Sequence, residues 1–450
     1  MKTGGKMKRN IFFLQEKGTT VGREIGAGLV SFMTMAYILF VNPSLLSRGG
    51  IPFQAAVLAT AISAAVTTIL MGLITDLPFA LAAGMGYNAF FAYTVTGSMG
   101  IPWQVGLGCV FWEGVIFLIV MALPIRDSIF RSIPLSLKLA AGVGIGIFIA
   151  FIGLSEAEII VSSPGVKVCL GNLHSPAVLL SLAGIILTGL LLTYRVKGAL
   201  LWGIVIVTIA GVFVPGSNNL PVTRLPVKLS DVLQIPSWQV MGQSFLKMDL
   251  LGAWRWQFLP VIFTFLFFDI FDTVGSVSGL AAKLGIIDRQ GSFPKVNRVL
   301  TVDALGTVIG AICGTTTVTT YIESAAGVVE GGRTGLTAVV VGICFALAIF
   351  FAPLAGLIPS VAVAPALVLV GLFMMEPITR IDFSEVGEGL PAFLTIIMMP
   401  LSYNIAHGLA AGIVSYTFLN IFSGQFRKVS PLLCILTVLF ILYYGFARMM

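Results

Sequence analysis

The stretch Gly314-Thr-Thr-Thr-Val-Thr-Thr-Tyr-Ile-Glu323-Ser-Ala-Ala-Gly327 decides how this chain is read. Threonine dominates its first half, and β-branched residues in a polar run favour an extended backbone. From Tyr321 onward, Ala325, Ala326 and Val328 restore helical character. The expected shape is a short strand feeding a half-helix. Non-helical backbone at membrane depth survives only where it lines a cavity or is buried in protein. Its freed N–H and C=O groups, and the start of the half-helix, are then available to a ligand. Glu323 adds a carboxylate to the same run. A charge at mid-bilayer costs at least about 2.5 kcal/mol and is usually tied to a water-filled cavity, a partner or a proton path.

Two other stretches belong with it. In Phe265-Leu-Phe-Phe-Asp269-Ile-Phe-Asp272-Thr-Val-Gly275, the aspartates are three residues apart and share one helical face. Thr273, Gly275, Ser276, Ser278 and Gly279 continue that face as small and polar, so it meets protein rather than lipid. Asp272 is the stronger candidate for touching substrate, and Asp269 is open to a structural or a proton-coupling reading. Phe79-Ala-Leu-Ala-Ala-Gly84-Met-Gly86-Tyr87-Asn88-Ala-Phe-Phe91 is the counterpart of the threonine run, its glycines and Asn88 again interrupting a helix. Two broken segments in corresponding places point to a midplane binding site. Desolvation disfavours a charged carboxylate, so an acid placed here can gain and lose a proton. Asp303 and Glu113 are further acids in apolar sequence. Asp303 lies beside the site region and is placed for proton coupling or for supporting the acids that touch substrate; Glu113 has no motif around it.

Composition sets the class. Of 450 residues, 57% are hydrophobic and only 10% charged, against about 25% charged in soluble domains. An all-α polytopic membrane protein fits. Met1 to Arg9 is basic, but no short apolar core with an A-x-A site follows, so no cleavable signal peptide is expected. Five cysteines include no C-x-x-C pair, and His174 and His407 have no metal-ligand spacing, so neither metal nor cofactor is expected. The net charge of +7 comes from basic residues scattered in short loops, which suits membrane topology better than nucleic acid. Lys2, Lys6, Lys8, Arg9, Lys17 and Arg23 precede the first span; Arg126 and Arg131, Arg195 and Lys197, and Lys283, Arg289, Lys295 and Arg298 follow later ones. That pattern puts a cytoplasmic N-terminus at 1–24, in a plasma (bacterial inner) membrane.

Apolar runs able to span about 30 Å of hydrocarbon lie at 25–46, 53–75, 104–124, 133–153, 175–194, 198–214, 258–283 and 335–353. Shorter or interrupted ones lie near 79–97, 300–313, 315–330 and 361–375. The tail divides into 390–422, which is one long span or two short ones meeting near Asn404, and 431–447. A polar stretch at 215–257, read as an external connecting loop, splits the chain into halves at 25–214 and 258–450. Ala141-Gly-Val143-Gly-Ile-Gly146-Ile-Phe148 resembles Ala366-Leu-Val368-Leu-Val-Gly371-Leu-Phe373, half a chain away, which suggests inverted repeats. Gly22/Gly26 and Gly142/Gly146 are small-xxx-small pairs suited to helix packing. Gly327-Val-Val-Glu-Gly-Gly332-Arg333-Thr334 has Walker-A spacing, but without the lysine or a preceding soluble strand it reads as a turn between spans.

The Thr315-to-Gly327 run, with Gly331-Gly-Arg-Thr-Gly-Leu-Thr-Ala338 after it, closely resembles the AzgA-like purine permeases. These belong to the nucleobase–cation symporter family that also contains uracil and xanthine permeases. Phe271-Asp272-Thr-Val-Gly275, Gly86-Tyr-Asn88-Ala-Phe-Phe-Ala-Tyr93 and Pro391-Ala-Phe-Leu-Thr-Ile-Ile-Met-Met-Pro400 fit the same family, over about Gly22 to Phe422. The resemblance implies about fourteen spans in two inverted repeats of seven, with short strands in the third and tenth. It also implies a core domain (25–124 and 258–353) and a gate domain (133–214 and 361–447). By motif position Asp272 and Glu323 contact the base, Tyr37 lies opposite Asp272, and Asn88 and Thr320 line the cleft. Tyr87 departs from the family pattern, where a smaller or aliphatic residue is expected, and this bears on pocket shape.

The implied function is import of a purine base with protons, adenine ahead of guanine or hypoxanthine, and a homodimer is compatible with it. The chemistry agrees: purine ring N–H groups and the adenine amine are donors that carboxylates accept, and Phe267, Phe271, Phe90 and Phe91 are available to sandwich a flat base. An inorganic-anion carrier of the same architecture would want a basic residue at the site. A membrane-embedded enzyme would want a catalytic motif such as H-E-x-x-H or G-x-S-x-G, and none is present.

Overall fold

A computed structural model of the chain describes residues 12–123, 132–216, 220–287, 293 and 295–447. Lys2, Lys6, Lys8, Arg9, Arg126, Arg131 and Arg289 of the basic loops lie outside the described residues. The protein is mainly helical. In chain order it runs α1 (Val21–Met35), α2 (Ile38–Arg48), α3 (Phe53–Thr75), β1 (Leu81–Ala83), α4 (Met85–Ala89), a π-helical stretch (Phe90–Ser98), α5 (Trp103–Ala122) and α6 (Leu135–Glu156). A hairpin, β2 (Ile160–Ser163) and β3 (Lys167–Leu170), precedes α7 (Pro176–Thr193) and α8 (Ala199–Ala210). The second half holds α9 (Leu259–Leu284), α10 (Val296–Cys313), β4 (Val318–Thr320), α11 (Ala325–Glu330), α12 (Gly335–Ala348), α13 (Ser360–Met374), α14 (Val386–Leu401), α15 (Ile405–Phe422) and α16 (Pro431–Ala447). Among the described residues ten helical segments are long and apolar enough to cross a membrane, with three shorter apolar helices beside them. This is a multi-pass membrane protein.

Local chemistry explains the boundaries. Thr20, Thr334 and Asn404 each accept a backbone N–H at the start of α1, α12 and α15, supplying an acceptor that the first helical turn otherwise lacks. The ambiguous run 390–422 is two helices. Pro400 closes the first, Tyr403 turns the chain at φ 53°, and Asn404 caps the second. The expected first span is present as one apolar helical segment, Val21–Arg48, with a turn at Ala36–Tyr37 between α1 and α2. One expectation needs correction. The segment at 300–313 is not short: α10 is an unbroken 18-residue helix whose polar Asp303 and Thr307 lower its hydropathy while meeting partners inside the protein.

The helices sort into two packed groups. In one, α3 lies on α12, α10 on α3 and α5, and α1 on α12 and α11; in the other, α6 lies on α13 and α14, and α7 on α8 and α13. Thinner contacts, α4 on α6 and α2 on α13 among them, join the two. Gly146 and Gly371 meet where α6 crosses α13: a Cβ on Gly146 would stand 2.8 Å from the Gly371 carbonyl oxygen, and one on Gly371 2.4 Å from that of Gly146. Gly22, Gly26 and Gly142 have nothing within 4 Å of a Cβ, so of the glycines expected to pack helices only Gly146 does so.

The stretch at 215–257 is more than a connector. Asp249 N–H donates to the Gln104 carbonyl at 2.8 Å, the Trp112 indole to the Leu250 carbonyl at 2.9 Å, and Leu246 N–H to the Ile312 carbonyl at 2.9 Å. It is therefore laid across the ends of α5 and α10.

Candidate functional site

The two broken segments meet each other. β1 and β4 pair antiparallel with Leu81 opposite Thr320, Ala82 opposite Thr319 and Ala83 opposite Val318. The ladder continues on either side, Gly84 N–H to the Thr317 carbonyl and Tyr321 N–H to the Ala80 carbonyl, both at 2.9 Å. The Tyr321 hydroxyl donates to the Ala83 carbonyl at 2.6 Å, and Ala80 N–H to the Ser324 hydroxyl at 2.9 Å. This pairing answers how extended backbone survives in lipid: each strand satisfies the other. From the pair two short helices depart, α4 after β1 and α11 after a 3-10 turn at Ile322–Ser324.

Two tyrosine–carboxylate pairs stand beside the crossing. Tyr37, at the step between α1 and α2, donates its hydroxyl to Glu323 Oε1 at 2.8 Å. Tyr87 of α4 donates to Asp272 Oδ2 at 3.2 Å. Asp272 is exposed although Ile270 and Thr273 on the same helix are buried, and Glu323 is half-buried. Asp272 is thus accessible where its helix neighbours are not. Glu323, Asp272 and the Tyr321 ring lie within electrostatic reach of one another. The Tyr87 ring meets Phe268 edge-on at 6.4 Å, and Phe90 packs on Phe265 and Phe268 at 4.9 and 6.3 Å.

Gly84 is needed for this geometry. A Cβ there would come within 2.3 Å of the Tyr87 ring and 3.1 Å of Thr319. Gly84→Ala is expected to push Tyr87 off Asp272 and to weaken ligand binding more than Tyr87→Phe, which loses only one hydrogen bond to a charged group, about 1.5–3 kcal/mol. Side-by-side titration of the two variants with labelled adenine, the ligand that the sequence resemblance implies, checks the order.

Behind the strands lies a sealed polar layer. Asp303 of α10 accepts from Thr320 N–H (2.7 Å), the Thr320 hydroxyl (2.6 Å) and the Thr273 hydroxyl (2.6 Å). Asp269 of α9 accepts from Thr307 (3.0 Å) and lies 3.2 Å from the Thr273 hydroxyl, whose one proton goes to the nearer Asp303. Thr317 reaches Glu113 at 3.4 Å, Thr316 donates to Asn88 Oδ1, and Asn42 donates to Thr315 at 2.9 Å. Asp269, Asp303 and Glu113 are fully buried. The threonines of the 314–320 run are thus spent on inward contacts.

That geometry corrects several expected placements. The residue on Asp272 is Tyr87, while Tyr37 faces Glu323; the unusual tyrosine in Gly86-Tyr87-Asn88 was the signal in the sequence. Thr320 is 2% exposed and turned onto Asp303, and Asn88 is fully buried with its Nδ2 lacking a partner among the described residues. A carboxylate in a dry interior draws nearby donors, which turns Thr320 inward, while Asn88 is held there by accepting from Thr316. Phe90, Phe91 and Phe267 are buried, and the Phe271 side chain lies outside the described set. The turn with Walker-A spacing is closed by Glu24, whose carboxylate accepts from Arg333 N–H (2.9 Å), Thr334 N–H (3.2 Å) and the Thr334 and Thr337 hydroxyls (2.8 and 2.6 Å). No phosphate can use those donors.

Two broken helices joined through paired strands, inside a helical multi-pass body, are a frame found in membrane carriers. Its sequence matches a model of the permease family over residues 22–443. The chain belongs to that family, and the resemblance to AzgA-like purine permeases extends over nearly its whole length. The adenine permease AdeP of Escherichia coli is 40% identical over 98% of this chain and 96% of its own. The guanine/hypoxanthine permease PbuG of Bacillus subtilis is 40% identical over 98% of this chain and 100% of its own. A Methanocaldococcus jannaschii chain, named only as a permease, is 44% identical over 98% of each. The transmembrane domain of the cyanobacterial bicarbonate transporter BicA shares the fold, with a TM-score of 0.63 at 14% identity, covering 87% of this chain and 97% of that one.

Proposed function

We propose that the protein is a secondary transporter importing a purine base, adenine first, with protons. The observation that carries this reading is the pair of acids, Asp272 and Glu323, each braced by a tyrosine, beside the paired strands of a chain whose relatives are named adenine and guanine/hypoxanthine permeases. Both carboxylates accept, and a purine presents ring N–H groups and, in adenine, an amine. Tyr37 and Tyr87 fix the acids from one side and leave their second oxygens to the base. Asp269 and Asp303, buried behind the strands, take the coupling proton or hold the acids in place. Asn88 and Thr320 then act by stiffening the crossing rather than by touching the base.

The group around α3, α5, α10 and α12 serves as the core, and the group around α6, α13 and α14 as the gate that moves against it. Fourteen crossings in two inverted repeats, with α16 outside them, are the arrangement we infer. Two features support it: β1 pairs with its counterpart β4, and Gly146 packs on its counterpart Gly371. The charge bias assigns the N-terminus to the cytoplasmic side. Radiolabelled adenine uptake into proteoliposomes should require an inward proton gradient and be competed by guanine or hypoxanthine but not by sulfate or uracil. Accumulation without a gradient removes the coupling, and competition by sulfate removes the purine reading.

A latch between the two groups follows from the same picture. Arg48 at the end of α2 pairs with Glu156 at the end of α6, and Tyr93 donates to the other Glu156 oxygen at 2.8 Å. They close over a cavity of about 230 Å³ lined by Ser44, Phe53, Ser360 and Leu367 among others. The pair is partly exposed, so its contribution to stability is at most about 1 kcal/mol. Arg48→Ala is therefore expected to shift access rather than folding: a cysteine placed at Ser44 should react faster with a soluble thiol reagent, with little change in melting temperature.

A further inference from the structure

We propose that Glu113 and Asp269 hold one proton between them, as a carboxyl–carboxylate pair, and that this pair is a proton-holding site of the carrier. The inference rests on the proton-coupled reading above and adds to it a residue that no motif marks. Glu113 sits midway along α5 and is fully buried. Its Oε2 accepts from Thr317, but its Oε1 has no donor among the described residues. The group within hydrogen-bonding reach of it is the Asp269 carboxyl of α9, which itself offers only acceptors when ionised.

Two ionised carboxylates cannot share such a site, because like charges in contact repel strongly away from water. One proton between them turns the repulsion into a short, charge-assisted hydrogen bond. It also supplies the donor that Glu113 Oε1 lacks. No lysine, arginine or histidine among the described residues forms an ion pair with Glu113, Asp269 or Asp303, so a proton is the available counter-charge. The other titratable groups facing the pair are Asp303 on α10 and Tyr87 on α4; Asp272, one turn along α9, faces Tyr87 instead. Thr273 lies 3.2 Å from Asp269 and 2.6 Å from Asp303, with the Thr319 hydroxyl at 3.0 Å, and so links the pair to the strand that carries the crossing. In this step only an O–H bond forms and breaks. The proton enters from water with the loaded site and returns to water after release.

Infrared difference spectroscopy of the purified protein in lipid, with H2O/D2O exchange, tests the sharing directly. At neutral pH the wild type should show a protonated-carboxyl band. Glu113→Gln and Asp269→Asn should each remove the same part of it, because the introduced amide N–H takes the proton's place. The double variant should remove no more than either single one. A band unchanged in Glu113→Gln overturns the proposal, as does a double variant that loses twice the single loss. Asp269→Asn gives the same readout if the Glu113 variant does not fold. In proteoliposomes, Glu113→Gln should accumulate base under a proton gradient no better than wild type does without one; wild-type accumulation overturns the coupling role. If wild type itself shows no proton-driven uptake, the function proposed above fails, while the infrared result still decides whether the proton is shared.

Discussion

Glu323→Gln is expected to weaken purine binding by about 1.5–3 kcal/mol, roughly 10- to 150-fold, and to abolish accumulation. Glutamine keeps the shape and one acceptor oxygen, so the Tyr37 hydroxyl, now 2.8 Å from Oε1, retains a partner. What is lost is the charge on the oxygen offered to the base. Hydrogen bonds to charged groups are about twice as strong as neutral ones, and the amide turns one acceptor into a donor facing purine N–H groups. Equilibrium binding of labelled adenine, alongside uptake in proteoliposomes, separates affinity from turnover. Wild-type affinity in this variant would place the base elsewhere. Asp272→Asn should behave in the same direction, since Tyr87 holds it in the same way.

Asp303→Ala should be the most damaging change to the fold. It strands the Thr320 N–H and hydroxyl in a sealed interior, while the Thr273 hydroxyl keeps Asp269 at 3.2 Å as an acceptor. Each buried donor left without a partner costs about 1–3 kcal/mol, so two of them remove about 2–6 kcal/mol, a large share of the roughly 5–15 kcal/mol that holds a domain together. The strand crossing should come apart first, because Asp303 holds β4 through both its backbone and its side chain. Asp303→Asn, which still accepts, should be clearly milder. Melting of detergent-purified protein by fluorescence-detected size exclusion reads both, and a wild-type midpoint for Asp303→Ala would refute the account.

Much of this was legible in the residues. The threonine run announced extended backbone, Gly84 to Asn88 announced its counterpart, and the charge gaps located most spans. The tail resolved at Asn404, the meeting point in one of the two readings the sequence left open. What stayed hidden was partnership. Tyr87 stood out as an odd residue, yet only its contacts with Phe268 and Asp272 of α9 show that it answers Asp272. Glu113 had no motif, because its significance lies in Asp269, more than a hundred and fifty residues away. Thr320 was read as lining a cleft since a strand alone does not reveal which of its sides faces a buried carboxylate.

By itself the sequence determined the class of protein, the places where helices break and the identity of the acids, because hydropathy, β-branching and the cost of charge in lipid act locally along the chain. The tertiary structure alone decided which acids stay accessible, which are sealed behind the strands and which tyrosine braces each of the accessible ones. Those choices depend on where distant helices cross, and in a medium without water a carboxylate's role is set by the donors that the crossing brings to it.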